Sequence, residues 1–120
     1  MKSELNLGQQ AEQWAYNHLQ QQGLTLITKN YSCRRGEIDL IMQDKETLVF
    51  IEVRYRKSST FGSALESVDR KKQTKLIFTA EHYIQQQKSS FTNYRFDVIA
   101  ITHERNNPII TWVKNAFQVN

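Results

Sequence analysis

The chain has 120 residues, of which 39% are hydrophobic and 23% charged, and a net charge of +4. This composition is typical of a globular domain and excludes a disordered chain. The single cysteine, Cys33, excludes an intrachain disulfide. At this length we expect one domain covering residues 1–120. Because no apolar leader or long apolar run is present, we expect a cytoplasmic protein that does not bind membranes.

The first half of the chain predicts one helix and three strands. The helix runs from Leu7 to about Gln22, since Asn6 and Gln9 have capping-box spacing and Gly23 is a natural stop. Three segments rich in β-branched and aromatic residues then predict strands at Leu24–Cys33, Glu37–Gln43 and Leu48–Tyr55. Residues 57–63 are predicted to form a polar loop.

The second half predicts a long helix from about Asp69 to Gln87, followed by strands at Arg95–Thr102 and Ile109–Val113. The element order is therefore α-β-β-β-α-β-β. This order predicts an α/β fold with a mixed β-sheet flanked by helices.

Two acids are predicted to face each other on the second and third strands. If residues 44–47 form the turn, Asp39 lies opposite Glu52, and Glu37 opposite Arg54, on one face of the sheet. Opposed like charges destabilise a sheet, whereas a divalent cation such as Mg²⁺ or Mn²⁺ binds such oxygen ligands. The alternative is a solvated face on which the acids pair with Arg54. The apolar flanks, IDLIM and LVFIEV, favour the metal site.

Basic residues cluster in the same third of the chain as the two acids. We predict that eight of them contact nucleic-acid phosphates: Arg34, Arg35, Arg56, Lys57, Arg70, Lys71, Lys72 and Lys75. Those at the start of the second helix oppose the helix dipole, which indicates a use other than helix stability. An ordinary solvated charged face is the alternative.

Gln73 lies within the inward-facing apolar stripe of the second helix. A polar amide in that position needs partners, and it would orient a water or a metal-bound carboxylate. The alternative is an ordinary core amide or a bond at the helix terminus.

Five segments together resemble the YraN-like family of small bacterial proteins: GQQAEQWAYNHLQQQG, NYSCRRGEIDLIM, LVFIEVRYR, FGSALESVDRKKQTKL and RFDVIAI. That family is placed in the PD-(D/E)xK, or restriction endonuclease-like, superfamily and is similar to archaeal Holliday junction resolvases. The resemblance implies that Asp39 is the invariant metal ligand, that Glu52 is the acid of the (D/E)xK element, and that Glu12 completes the site. It implies that Gln73 is the helix glutamine of some members, and that residues 57–63 lie near the substrate. For Asp97, within the RFD segment, we expect a structural role.

The leading hypothesis is a metal-dependent nuclease that hydrolyses phosphodiesters of DNA, branched or damaged, with Mg²⁺ or Mn²⁺ at Glu12, Asp39 and Glu52. Arg54 would steady the phosphate. Arg54 stands where the superfamily signature has lysine, and because arginine does not readily lose a proton, any catalytic role that needs a neutral amine is lost. The resolvase likeness implies a homodimer. The alternatives are a non-catalytic nucleic-acid-binding module and an adaptor for a DNA-processing partner.

Overall fold

The computed structural model describes residues 6–56, 66–105 and 107–119. Its elements are α1 (Leu7–Gln21), β1 (Thr25–Cys33), β2 (Gly36–Asp44), β3 (Thr47–Tyr55), α2 (Arg70–Gln87), β4 (Asn93–Glu104) and β5 (Asn107–Phe117). The predicted order is confirmed. The last two strands extend beyond their predicted bounds at both ends, because backbone pairing with a neighbouring strand includes polar residues that a hydrophobic pattern leaves out. The predicted loop at residues 57–63 lies outside the described residues.

The first helix begins at the predicted capping box. The Asn6 side chain accepts a hydrogen bond from the Gln9 backbone N–H at 2.8 Å, and the Gln9 side chain accepts one from the Asn6 N–H at 3.1 Å. Both bonds satisfy donors that the first helical turn leaves without partners. Past the other end of α1, Gly23 has a φ of 100°, a left-handed conformation in which a residue with a Cβ is strained. The chain can therefore turn directly from α1 into β1.

The described strands form one mixed sheet in the order β1-β2-β3-β4-β5. The pair β3–β4 is parallel, and the other three neighbouring pairs are antiparallel. A parallel pair needs a crossover connection, and α2 lies within it.

The two helices cover opposite faces of this sheet. Alternate residues of β3 separate into two buried clusters, with Val49 and Ile51 beside α1, and Leu48 and Phe50 beside α2. Since successive strand residues point to opposite faces, this separation places α1 and α2 on different sides. No helix among the described residues is long and apolar enough to cross a membrane.

The β2–β3 hairpin has the predicted register, but its pairing stops early. The paired residues run from Asp44↔Thr47 to Leu40↔Ile51, and the residue numbers of each pair sum to 91, as the predicted turn at residues 44–47 requires. No pair between β2 and β3 follows Leu40↔Ile51. Ile38 packs with the α2 cluster and Leu40 with the α1 cluster, although they are two residues apart. The regular alternation of β2 is therefore broken at Asp39.

Asp97 is a buried acid that joins β4 to β5. Its carboxylate accepts hydrogen bonds from Trp112 Nε1 at 2.9 Å, from the Asn115 backbone N–H at 2.9 Å and from Arg95 Nε at 3.0 Å. The Arg95 guanidinium also contacts Asp44 on β2 at 2.9 Å. Since these partners satisfy a charge that is 1% exposed, the contacts agree with the structural role expected for Asp97.

We expect Asp97→Ala to destabilise the protein by about 3 kcal/mol or more, because removing one partner of a buried ion pair leaves the other uncompensated. The indole and backbone N–H groups would also lose their acceptor. Urea denaturation followed by circular dichroism measures the change. The control is Glu104→Ala, an exposed residue at the end of the same strand, for which we expect a change within about 0.5 kcal/mol. Equal stabilities of the two variants would contradict the assigned role.

Candidate metal and nucleic-acid site

Asp39 and Glu52 meet where the pairing of β2 with β3 ends. The Asp39 carboxylate accepts a hydrogen bond from the Val53 backbone N–H at 2.8 Å. The side chain of Glu52, which is 5% exposed, is close enough to raise the pKa of the Asp39 carboxyl. The two acids therefore lie close together, as predicted. At this point, however, the backbone pairing of β2 with β3 has ended, and the Asp39 side chain bonds the β3 backbone instead.

The protonation of this pair is unusual. Burial raises the pKa of the Asp39 carboxyl to about 8, and the negative charge of Glu52 contributes to the increase. The Val53 N–H acts in the opposite direction, since it favours the ionised carboxylate. At neutral pH, the Asp39 carboxyl therefore retains its proton.

Two cations contact Glu52 from different elements. Arg54 Nη1 lies 3.1 Å from Glu52 Oε2, and Lys72 Nζ of α2 lies 3.4 Å from the same oxygen. Arg54 is also anchored to Ser67, since its Nε donates to Ser67 Oγ at 2.9 Å. The charge of Glu52 is thus balanced within the chain.

The contact of Lys72 with Glu52 was not predicted from the sequence, which placed Lys72 only among the residues that contact nucleic-acid phosphates. The distance in sequence between Lys72 and the buried residues of α2 does, however, indicate this position. Lys72 precedes the buried Leu76 by four residues and the buried Ala80 by eight, so it extends the inner stripe of α2 by one turn. A lysine at that position can turn its ammonium group towards the sheet.

Glu12 of α1 lies near the pair but is bound elsewhere. Burial raises the pKa of Glu12, and a hydrogen bond with the Asn30 side chain opposes that increase. The charge of Glu52 also contributes to raising it, so the two acids are within electrostatic range. In the described part of the chain, no three His, Cys, Asp or Glu side chains are grouped closely enough to hold a metal ion. The structure thus joins Asp39 and Glu52 and leaves Glu12 outside their contact.

Gln73 makes the helix-terminal bond that was considered as an alternative. Its Nε2 donates to the Val68 backbone carbonyl at 3.1 Å, and its backbone N–H bonds Asp69 at 2.8 Å. These contacts fix the segment that leads into α2 next to Lys72. The orientation of a water or metal-bound carboxylate by Gln73 stays a prediction.

Most of the predicted phosphate-binding residues are on the surface. Lys57 lies outside the described residues; Arg56 and Lys72 are half-buried, and the other five are exposed: Arg34, Arg35, Arg70, Lys71 and Lys75. The turn at residues 34–35 and the basic start of α2 are adjacent, because a Cβ on Gly36 would stand 3.7 Å from the Lys75 Cβ and 3.0 Å from Thr79 Oγ1. A substrate bound at this surface would meet both basic groups.

These contacts define a class of protein: an α/β domain with a carboxyl pair and two cations at the end of a strand ladder. The chain belongs to the family described as Uncharacterised protein family UPF0102, whose model matches residues 11–101. It is 53% identical over 108 residues to a UPF0102 protein of Psychromonas ingrahamii, covering 90% of this chain and 86% of that protein. It is 50% identical over 113 residues to a UPF0102 protein of Nitrosococcus oceani, covering 93% and 91%. The family membership inferred from the sequence motifs is confirmed.

Without added metal, we expect Asp39→Asn to stabilise the protein at pH 8. The folded Asp39 has a pKa of about 8, against 3.8 for the ordinary group, so the folded state binds more protons between these values. Stability therefore falls as pH rises through that window, and a neutral amide avoids the loss. We expect the melting temperature to rise by roughly 4 °C or more, equivalent to about 1 kcal/mol, at pH 8. The gain should disappear near pH 4.

Thermal melts in EDTA at both pH values test this expectation, with the exposed Glu81→Gln in α2 as the control. A gain that is equal at both pH values, or a loss at pH 8, would show that Asp39 does not carry the proton.

Proposed function

We propose that this protein is a metal-dependent phosphodiesterase that acts on DNA, with the restriction endonuclease-like fold of the PD-(D/E)xK superfamily and a likeness to Holliday junction resolvases. The observation that carries the proposal is that Asp39, held by the Val53 N–H, and the buried Glu52 come together where the β2–β3 ladder ends. Burial and the charge of Glu52 raise the pKa of the Asp39 carboxyl to about 8. Structural stability alone does not favour such a pair. A divalent cation bound in place of the Asp39 proton would stabilise both carboxylates.

The donor set suits Mg²⁺ or Mn²⁺, since both prefer carboxylate and water oxygens. Asp39 and Glu52 would be the direct ligands, and water or phosphate oxygens would complete the coordination. Glu12, which is within electrostatic range of Glu52, would contribute through a bound water. When bound, the metal would lower the pKa of a water and neutralise charge on the scissile phosphate.

The side chains around the pair support the handling of a phosphodiester. Arg54 is always charged, and its bonds to Ser67 and Glu52 hold the guanidinium beside the site, where it can steady a phosphate. The exposed basic residues at the start of α2 and at residues 34–35 would grip the backbone on either side. Contacts with backbone phosphates give affinity but do not distinguish one DNA base sequence from another. They therefore suit an enzyme that recognises DNA by its shape.

A non-catalytic nucleic-acid-binding module is the second candidate. The observation that favours it is the pairing of Glu52 with both Arg54 and Lys72, which neutralises one ligand without a metal. The basic surface would serve such a module equally well.

Cleavage assays separate the two functions. We expect the parent protein to cleave at least one of a four-way junction, a flap and a single strand in Mg²⁺ or Mn²⁺, and not in EDTA. Asp39→Asn should lower the rate by about 10²-fold or more, as losses of charge-stabilising groups do. The matched control is Glu46→Gln, in the turn at the other end of the same hairpin, which should keep the parental rate.

Salt-sensitive binding without cleavage by the parent would overturn the enzyme and favour the binding module. No affinity for any of these substrates at low salt would overturn both and favour an adaptor of a DNA-processing partner.

Metal binding should also release protons. Because Asp39 is protonated at neutral pH, Mn²⁺ affinity should rise between pH 6 and pH 8, by up to about tenfold per pH unit. Isothermal titration calorimetry at pH 7 in two buffers of different ionisation enthalpy measures the proton count. Asp39→Asn should show no release. Binding that is independent of pH in the parent would contradict a site at this pair.

A further inference from the structure

Lys72 differs from the other basic residues of the same surface. Its side chain is 35% exposed, and its ammonium group contacts the buried Glu52, whereas Arg70, Lys71 and Lys75 are exposed. Its backbone is also fixed, since the helix-capping Asp69 side chain accepts a hydrogen bond from the Lys72 N–H at 2.8 Å. This position is that of a site residue and not of a loosely held surface charge.

Arg54 and Lys72 share Glu52 but differ in the freedom that remains to them. Arg54 uses its Nη1 on Glu52, its Nε on Ser67 Oγ, and its Nη2 on the Ser67 carbonyl at 3.5 Å. The guanidinium is therefore anchored on both sides. Among the described residues Lys72 contacts Glu52 alone, at 3.4 Å, and an ammonium group carries three donors on a flexible stem. Lys72 can thus keep this contact and donate to a second acceptor.

We propose that Lys72 is a catalytic residue of the phosphodiester hydrolysis proposed above, on which this inference rests. Its ammonium donates a hydrogen bond to a nonbridging oxygen of the scissile phosphate, where negative charge is stabilised in the transition state. Arg54, which is anchored to Ser67, also holds Glu52 in place.

The reaction balances without any change in the protonation of Lys72. The oxygen of a water forms a bond to phosphorus, and one P–O ester bond breaks. One proton of that water passes through solvent to the departing oxygen, so that the products are a phosphate monoester and an alcohol. Lys72 remains an ammonium donor throughout.

The test compares Lys72→Met and Lys72→Gln with Lys71→Met, which removes the same charge from the exposed neighbouring position. Single-turnover cleavage of the best substrate, at saturating protein in Mg²⁺, measures the chemical step. Fluorescence anisotropy with Ca²⁺ in place of Mg²⁺ measures DNA affinity, and thermal melts verify folding.

Both Lys72 variants should lose about 10²-fold in single-turnover rate, the loss typical of one transition-state donor. Their DNA affinities should stay within about threefold of that of Lys71→Met, since each variant removes one backbone-facing charge. At saturating protein, Lys71→Met should cleave about 30-fold faster or more than either Lys72 variant, because an exposed rim charge changes mainly binding.

If the parent cleaves and the Lys72 variants cleave as fast as Lys71→Met, the role of Lys72 is overturned while the proposed function stands. The same conclusion follows if the Lys72 variants lose only affinity. If the parent cleaves none of the substrates with either metal, the proposed function fails and the role of Lys72 fails with it.

Discussion

The candidate site depends on one hydrogen bond, from the Val53 backbone N–H to the Asp39 carboxylate. A continued ladder would give that part of β3 a backbone partner on β2. Because the pairing stops at Leu40↔Ile51, a side chain can satisfy the N–H and be held between the strands. The same break turns Ile38 and Leu40 towards different helices. The interruption of the sheet thus places an acid in a partly buried position that a regular strand would not provide.

The sheet contains a second acid with a comparable bond, and the comparison shows how neighbours determine the outcome. Asp97 accepts the Asn115 backbone N–H at a shift in the β4–β5 register, as Asp39 accepts that of Val53. Trp112 and Arg95 complete the Asp97 site with donors, so its charge is compensated. Asp39 is also buried but has another acid beside it, and burial together with the charge of Glu52 raises its pKa. Donors around a buried carboxylate stabilise a fold, whereas a second carboxylate prepares it to bind a cation.

The charge around the site is divided between residues close in sequence and residues brought there by α2. Arg54 follows Glu52 by two residues on β3, and a strand period of two places them on one face. Lys72 reaches the same oxygen from a helix that begins at Arg70. Asp69 and Gln73 fix this end of α2 through bonds within the helix and to Val68, so the ammonium position depends on local capping. The basic start of α2 and the carboxyl pair are therefore joined through the contact of Lys72 with Glu52.

The sequence by itself determined the elements, their order and the register of the β2–β3 hairpin, because periodicity, capping residues and turn spacing are local properties of the chain. It also determined that Asp39 and Glu52 come together, since a short turn fixes antiparallel partners. Only the tertiary structure decided where that ladder ends and that Asp39 bonds a backbone N–H. It likewise decided that Lys72 joins the site while Glu12 bonds Asn30. These outcomes depend on how far each helix sits from the sheet, and that distance is set by packing between residues far apart in the chain.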